Sequence, residues 1–313
     1  MIEQTSHQAD ICANGDVETG GFAPTKTRVS QVSRLVIATF NIRYAVGSRL
    51  ISGSLMRKLG LSLPGRRPAL VANHIRLAGR ALSDGDSLPP VDILALQEAD
   101  KETARAGGHH VARELARELQ MLYAHAATNI PRDEVPKPKQ WYLDFEEHIG
   151  SDDAGDTGIA LLSRWPPAKI ERLDLPWQEC AWRPRLALAA TIPVGPTELH
   201  IFNSHIDPHA GIDEQLAQHA AILARADEAA GPTILLGDFN TLTRSACARV
   251  RSFLESRGYS TPFRMGTATW RSGPIRLQPD WIFVRDVKVT RSGVARRLSV
   301  SDHWPVWVEI ELK

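Results

Sequence analysis

A mixed α/β fold follows from two features of the sequence: short apolar runs rich in β-branched residues, and amphipathic stretches with apolar residues at helical spacing between them. A third feature bears on chemistry, because several of the apolar runs end on Asn, Glu, His or Asp. At 313 residues the chain suffices for one large all-β or α/β domain or two smaller ones, and its 43% hydrophobic content is ample for a core. We read residues 1–33 as a mostly disordered, Gly/Thr/Ser-rich tail with no apolar run fit for a signal-peptide core, and residues 34–313 as a single domain. A formal charge of +1 gives no overall pull toward nucleic acid or an anionic membrane, so any polyanion must be met by a local patch. Cys12, Cys180 and Cys247 are widely spaced and odd in number, which fits reduced thiols in a cytoplasmic protein rather than disulfides or a zinc site.

The β-branched and aromatic run from Arg34 to Asn41 reads as a buried strand that ends on Asn41. Between Gly47 and Arg80 there are seven basic residues (Arg49, Arg57, Lys58, Arg66, Arg67, Arg76, Arg80) and no acidic one. This stretch is either a basic amphipathic element over a membrane or phosphate-bearing substrate, or an ordinary solvated helix face with a core stripe. A helix is expected from Pro68 to Leu82, and the run from Val91 then delivers Glu98 to a strand end. His109 and His110 lack a third soft ligand nearby and read as a helix start or solvent-exposed pair before a helix over Val111 to Leu122. Asn129 to Asp156, with eight acidic residues against three basic, has loop composition.

Further strands are expected from Thr157 to Arg164, Arg185 to Ile192 and Glu198 to Asn203, the last running into His205. An Ala-rich helix from Gln215 to Ala230 leads into the strand Pro232 to Asn240, and a shorter helix spans Arg249 to Arg257. Asp238 and Asn240 sit at i and i+2 of an extended segment, so both project into one cleft while Phe239 turns into packing. An Asp can activate water or hold a cation and an Asn amide can donate to an oxyanion, a pairing suited to phosphoryl or acyl hydrolysis. Asp280 opens a strand through Val284, and Asp302-His303 opens the last one. Any one of these residues has an ordinary explanation as a turn former or cap. Five strand edges carrying Asn, Glu, His, Asp/Asn and Asp/His in one chain are hard to explain as independent turns.

The motifs Thr39-Phe40-Asn41, Leu96-Gln97-Glu98, Leu162-Ser163-Arg164, Asn203-Ser204-His205, Gly237-Asp238-Phe239-Asn240, Pro279-Asp280-Trp281 and Ser301-Asp302-His303 resemble, in this order, those of the endonuclease/exonuclease/phosphatase superfamily. The resemblance covers about Arg34 to Lys313 and implies a four-layer α/β sandwich, two mostly antiparallel sheets packed face to face with helices outside. It implies that Glu98 is the principal Mg²⁺ ligand, with Asn41 and Asp302 completing the shell and Mn²⁺ as the other candidate ion. It also implies that Asp238 activates the attacking water, that Asn240 holds the scissile phosphate, and that His205 and His303, the latter positioned by Asp280, neutralise developing charge. Arg164, Asn203 and Arg185 are the expected substrate contacts.

Two departures bear on substrate: Ile159 stands where many relatives carry an Asn, and Glu214-Gln215 where they carry a basic residue. With no DNA-intercalating loop recognisable, a small-molecule or lipid-linked phosphoester is favoured over duplex DNA. A DNA or RNA nuclease of the same superfamily is the alternative, and a non-catalytic binding protein on this fold a third reading that the complete motif set disfavours. No stable protein partner is implied, and a monomer is expected.

Overall fold

The computed structural model describes residues 16–22, 34–47, 66–131, 149–176 and 184–312. With strands numbered along the chain, one sheet runs in the order β1 (Val17–Gly21), β4 (Leu122–Ala127), β5 (Gly158–Ser163), β3 (Ile93–Gln97), β2 (Arg34–Asn41), β14 (Val306–Glu311), β13 (Lys288–Val294). The other runs β12 (Asp280–Arg285), β9 (Thr233–Asp238), β8 (Thr197–His205), β7 (Arg185–Val194), β6 (Lys169–Leu175). A separate hairpin joins β10 (Trp270–Ser272) to β11 (Ile275–Leu277).

The alternation of side chains along each strand builds the layers. In β2, Ile37 enters the core between the sheets with Leu161, Leu188 and Leu236. Its neighbours Ala38 and Phe40 face outward, where α1 (Arg66–Ser83) and α2 (Val111–Leu119) cover them with Val71, Ile75 and Leu115. On the far side, α3 (Ile212–Ala226) and α4 (Arg244–Glu255) lay Ile222 and Val250 over Phe202, Leu235 and Phe239. This is the expected four-layer α/β sandwich.

Strand direction decides where the chemistry collects. β2 and β3 run parallel, as do β8 and β9, while β12 is antiparallel to β9 and β14 to β2. The ends of the first four strands and the starts of the last two therefore lie at one end of the sandwich, which gathers Asn41, Glu98, His205, Asp238, Asp280 and Asp302-His303. Gly237 makes the close approach possible: at φ 143° its missing Cβ would otherwise meet the Ser204 carbonyl oxygen at 1.9 Å.

Several elements differ from expectation. Val17–Gly21, read as tail, is the edge strand β1 paired with β4. Its single apolar residue gives no sequence pattern, and what fixes it is Glu18, bound by Lys101 Nζ at 2.7 Å and Tyr123 Oη at 2.9 Å. The helix expected to reach Leu122 stops at Leu119 because Gln120 turns left-handed (φ 53°), and β4 follows at once. Strands β6 and β13 are partly exposed, so their apolar alternation was too weak to read. His110 is a helix start as expected but fully buried, accepting from Arg113 N–H as N-cap. Arg66, Arg67, Arg76 and Arg80 lie on α1, while Arg49, Arg57, Lys58, Cys12, Cys180 and residues 132–148 of the acidic stretch lie outside the described residues. No described helix is long and apolar enough to cross a membrane.

Candidate active site

Asp280, Asp238 and His205 form one row across the end of a sheet, because Asp238 pairs in register with Asp280 on β12 and with His205 on β8. The facing sheet contributes Asn41, in register with Gln97, and Glu98 one residue further on. Of these, Asp238, His205 and Glu98 line a cleft of about 340 Å³ that also holds Arg43, Asn240, Asp302 and His303, with Asp280 and Asn41 buried beside it.

Asp238 is the hub. Its Oδ2 accepts from Asn41 Nδ2 at 2.9 Å and lies 3.7 Å from His205 Nε2 and 3.8 Å from His303 Nε2. Its Oδ1 accepts the Asn240 N–H at 3.0 Å. Burial pushes the Asp238 carboxyl up to about 7, with Asp280 adding to the rise and His303 opposing it. Burial disfavours charge on the His303 ring too, but the carboxylates of Asp280 and Asp238 outweigh it and raise the imidazole to about 10. His303 is thus an imidazolium, its Nδ1–H held by Asp280 at 2.9 Å and its Nε2–H turned to the cleft beside Asp238.

Three site residues sit in the left-handed region that non-glycine residues seldom enter: Arg43 (φ 47°), Glu98 (φ 51°) and Asn240 (φ 50°). Arg43 opens a turn that continues left-handed through Tyr44 and Ala45. Such positions cost on the order of 1–3 kcal/mol each and persist where the surroundings impose them. Here Asn41 Oδ1 accepts the Arg43 N–H at 3.0 Å, and the Arg43 guanidinium pairs with Asp302 Oδ2 inside the cleft. Arg43 was not singled out in the sequence, although its place two residues after Asn41 was a signal.

The donor set fits a hard cation, since Glu98 and Asp302 bring carboxylate oxygens to the cleft and no thiolate lines it. The expected ligands are hydrogen-bonded to their neighbours. Asn41 turns its amide nitrogen to Glu98 Oε1 (3.1 Å) and Asp238, and its amide oxygen to the Arg43 N–H. Asp302 Oδ2 accepts from Arg43 and from Trp270 Nε1 at 2.9 Å. Asp238, Asp280 and His303 also lie close enough to one another to hold a metal ion, with His303 Nδ1 hydrogen-bonded to Asp280. The cluster of Glu18, His110 and His125 is likewise a hydrogen-bonded one: His110 Nδ1 accepts from Arg113, so its Nε2 donates to Glu18 at 3.1 Å.

The three expected substrate contacts are placed elsewhere. Asn203 is fully buried between the sheets, donating to Leu96 O and Ala160 O at 3.0 and 2.9 Å and accepting from Gln97 at 2.7 Å. Arg164 follows β5, which runs antiparallel to β3, so it lies at the opposite end of the sandwich beside Asp92 (3.3 Å). Arg185 is at the correct end but buried behind His205, 3.5 Å from Asp207. Of the two departures, Ile159 packs between the sheets, and Glu214 and Gln215 fasten the loop beside the cleft, Gln215 Nε2 donating to Asp207 O at 3.0 Å and Asn240 O at 3.3 Å.

Two packed sheets with carboxylates and histidines gathered at one end are the arrangement of a class of phosphoester hydrolases. The model described as the endonuclease/exonuclease/phosphatase family matches residues 38–303, and the chain belongs to that family, whose members generally use a divalent metal. Among solved structures, an endonuclease/exonuclease/phosphatase from Beutenbergia cavernae DSM 12333 is similar at 17% identity over 90% of this chain and 72% of its own, with a TM-score of 0.60. A mannosyl-6-phosphatase from Bacteroides thetaiotaomicron VPI-5482 is similar at 18% identity, covering 89% of this chain and all of its own, with a TM-score of 0.58. TDP2 from Caenorhabditis elegans shares 14% identity over 91% of this chain and 77% of its own, at a TM-score of 0.54. A comparison with curated proteins finds no match.

Proposed function

We propose that this chain is a Mg²⁺-dependent hydrolase of phosphoester bonds, with Mn²⁺ able to substitute, acting by in-line attack of water on phosphorus. The observation that carries the reading is the convergence of Asp238 Oδ2 and the two histidines at one end of the cleft, 3.7 Å to His205 Nε2 and 3.8 Å to His303 Nε2. A base and two donors so close together can act on one water and one phosphate bound in front of them.

Asp238, fixed by Asn41 and the Asn240 N–H, orients and deprotonates the water. The His303 imidazolium, kept charged by Asp280, donates to an equatorial phosphate oxygen, and His205 does so from the other side. Asn240 gives one amide hydrogen to Ile206 O at 2.7 Å, and its second N–H is the one available to the phosphate. Glu98 would hold the cation, which supplies positive charge to the phosphoryl oxygens when bound. The hydrolysis of p-nitrophenyl and bis-p-nitrophenyl phosphate with Mg²⁺, with Mn²⁺ and with EDTA tests this directly. Activity that persists fully in EDTA would remove the metal from the mechanism, and no activity with either ion would remove the hydrolase reading.

A further inference from the structure

The β10–β11 hairpin forms one wall of the cleft, and its pairing sorts its side chains by face. Trp270 pairs with Leu277 and Ser272 with Ile275, while Arg271 pairs with Arg276 between them. Side chains alternate across a strand, so the first four share a face, and all four line the cleft. Arg271 and Arg276 point the other way, their guanidinium groups 5.3 and 5.9 Å from the Trp304 ring centroid. The hairpin therefore withholds its cations from the cleft and presents Trp270, Ile275 and Leu277 instead. Leu242 and Pro208 line the same cleft.

Trp270 is explained by its hydrogen bond to Asp302. Ile275 is not explained by packing, since it is 46% exposed, one of the few large apolar side chains so exposed among the described residues. Ile275 does not stand alone, since Trp270, Leu277, Leu242 and Pro208 line the same cleft, and together they make an apolar wall that an apolar group would cover.

We infer that the phosphoester taken by this cleft carries an alkyl or aryl group beside its phosphate, seated on Ile275, Leu277 and Leu242. The inference rests on the hydrolase reading and adds the chemical class of the esterified alcohol. A hydroxyl-rich group such as a sugar would lose water against Ile275, Leu277 and Leu242, with Ser272 the one hydroxyl that the hairpin turns to the cleft. An alkyl chain or ring gains by leaving water there. The same apolar ester is supplied either by a small soluble molecule or by a lipid in a bilayer.

The test begins with binding, which needs no turnover. Calorimetric titration of the full chain in Mg²⁺ with methyl-, butyl- and hexylphosphonate should show Kd falling along the series, by up to about fourfold for each methylene that is buried. Ile275→Asn and Leu277→Asn should each bring the hexyl-to-methyl ratio toward one. A ratio already near one in the parent protein overturns the inference. Hydrolysis is read in parallel on methyl, hexyl and phenyl phosphate and on glycerol phosphate. A chain-length preference in binding without hydrolysis of any ester would refute the hydrolase reading while upholding the apolar subsite, and equal hydrolysis of all four would do the reverse. Vesicles of phosphatidylcholine and phosphatidic acid separate the sources: release of phosphate from them assigns the group to a bilayer lipid, and cleavage of the soluble hexyl ester alone assigns it to a small molecule.

Discussion

Asp280 and Asp238 are direct cross-strand partners on β12 and β9, and His303 stands between their carboxyl groups, 2.9 Å from one and 3.8 Å from the other. Two carboxylates opposite one another on a sheet repel. The imidazolium offsets that repulsion, and in return the pair keeps His303 charged far above the ordinary histidine range. Asp280→Asn removes one of the two carboxylates, so the proton on His303 should be lost at lower pH. The alkaline limb of the kcat/KM profile should move to lower pH, with a smaller rate loss near neutrality than His303→Ala produces. A profile that does not shift would mean that Asp280 only orients the ring.

Asp238→Asn is nearly isosteric and removes the charge that activates water. The loss should be about 10²- to 10⁴-fold and fall on kcat, with KM little changed, because the water is needed mainly in the transition state. Combining it with His303→Ala should be less than additive, since both groups serve one displacement. Steady-state kinetics on bis-p-nitrophenyl phosphate decide this.

Glu98→Gln keeps the shape and removes the ligand charge, so the Mg²⁺ concentration for half-maximal activity should rise at least about tenfold while circular dichroism stays native. An unchanged titration would move the ion to Asp302. Asn203→Ala should behave in the opposite manner. It exposes two buried carbonyls to no partner and costs about 1–3 kcal/mol, read as a lowered Tm, with KM unchanged because Asn203 never reaches the cleft.

Acid should weaken the attachment of β1. Burial pushes His110 down from its ordinary 6.5 to about 4, so the unfolded chain takes up this proton first and stability falls as pH drops from 6.5 toward 4. Partial burial works against charge on Glu18, but Lys101, His110 and Tyr123 hold its carboxyl down to about 2, and its contribution is lost below 4.5. The Tm advantage of the parent over His110→Asn should therefore shrink between pH 7 and pH 4.5. A constant difference across that range would leave His110 as a helix cap alone.

The sequence determined the strands that carry the site because each is a buried run, and burial on both faces demands unbroken apolar residues that stop abruptly at polar ends. That is why Asn41, Glu98, His205 and Asp238 were legible at strand ends, and the order of their motifs carried the resemblance that implied the four-layer sandwich. What the sequence could not decide is which strand ends meet. The sheet order, with β2 beside β3, β8 beside β9 and β5 reversed, brings Asp280 against Asp238 and Asp302-His303 into the cleft, and carries Arg164 to the far end. Only the packing of one sheet on the other turned Asn203 from a substrate contact into a buried link, and only the left-handed turn after Asn41 brought Arg43 to Asp302. Likewise β1 leaves no periodic mark because it is held by a few long-range partners, and the β10–β11 strands, three residues each, are too short for their alternation to stand out.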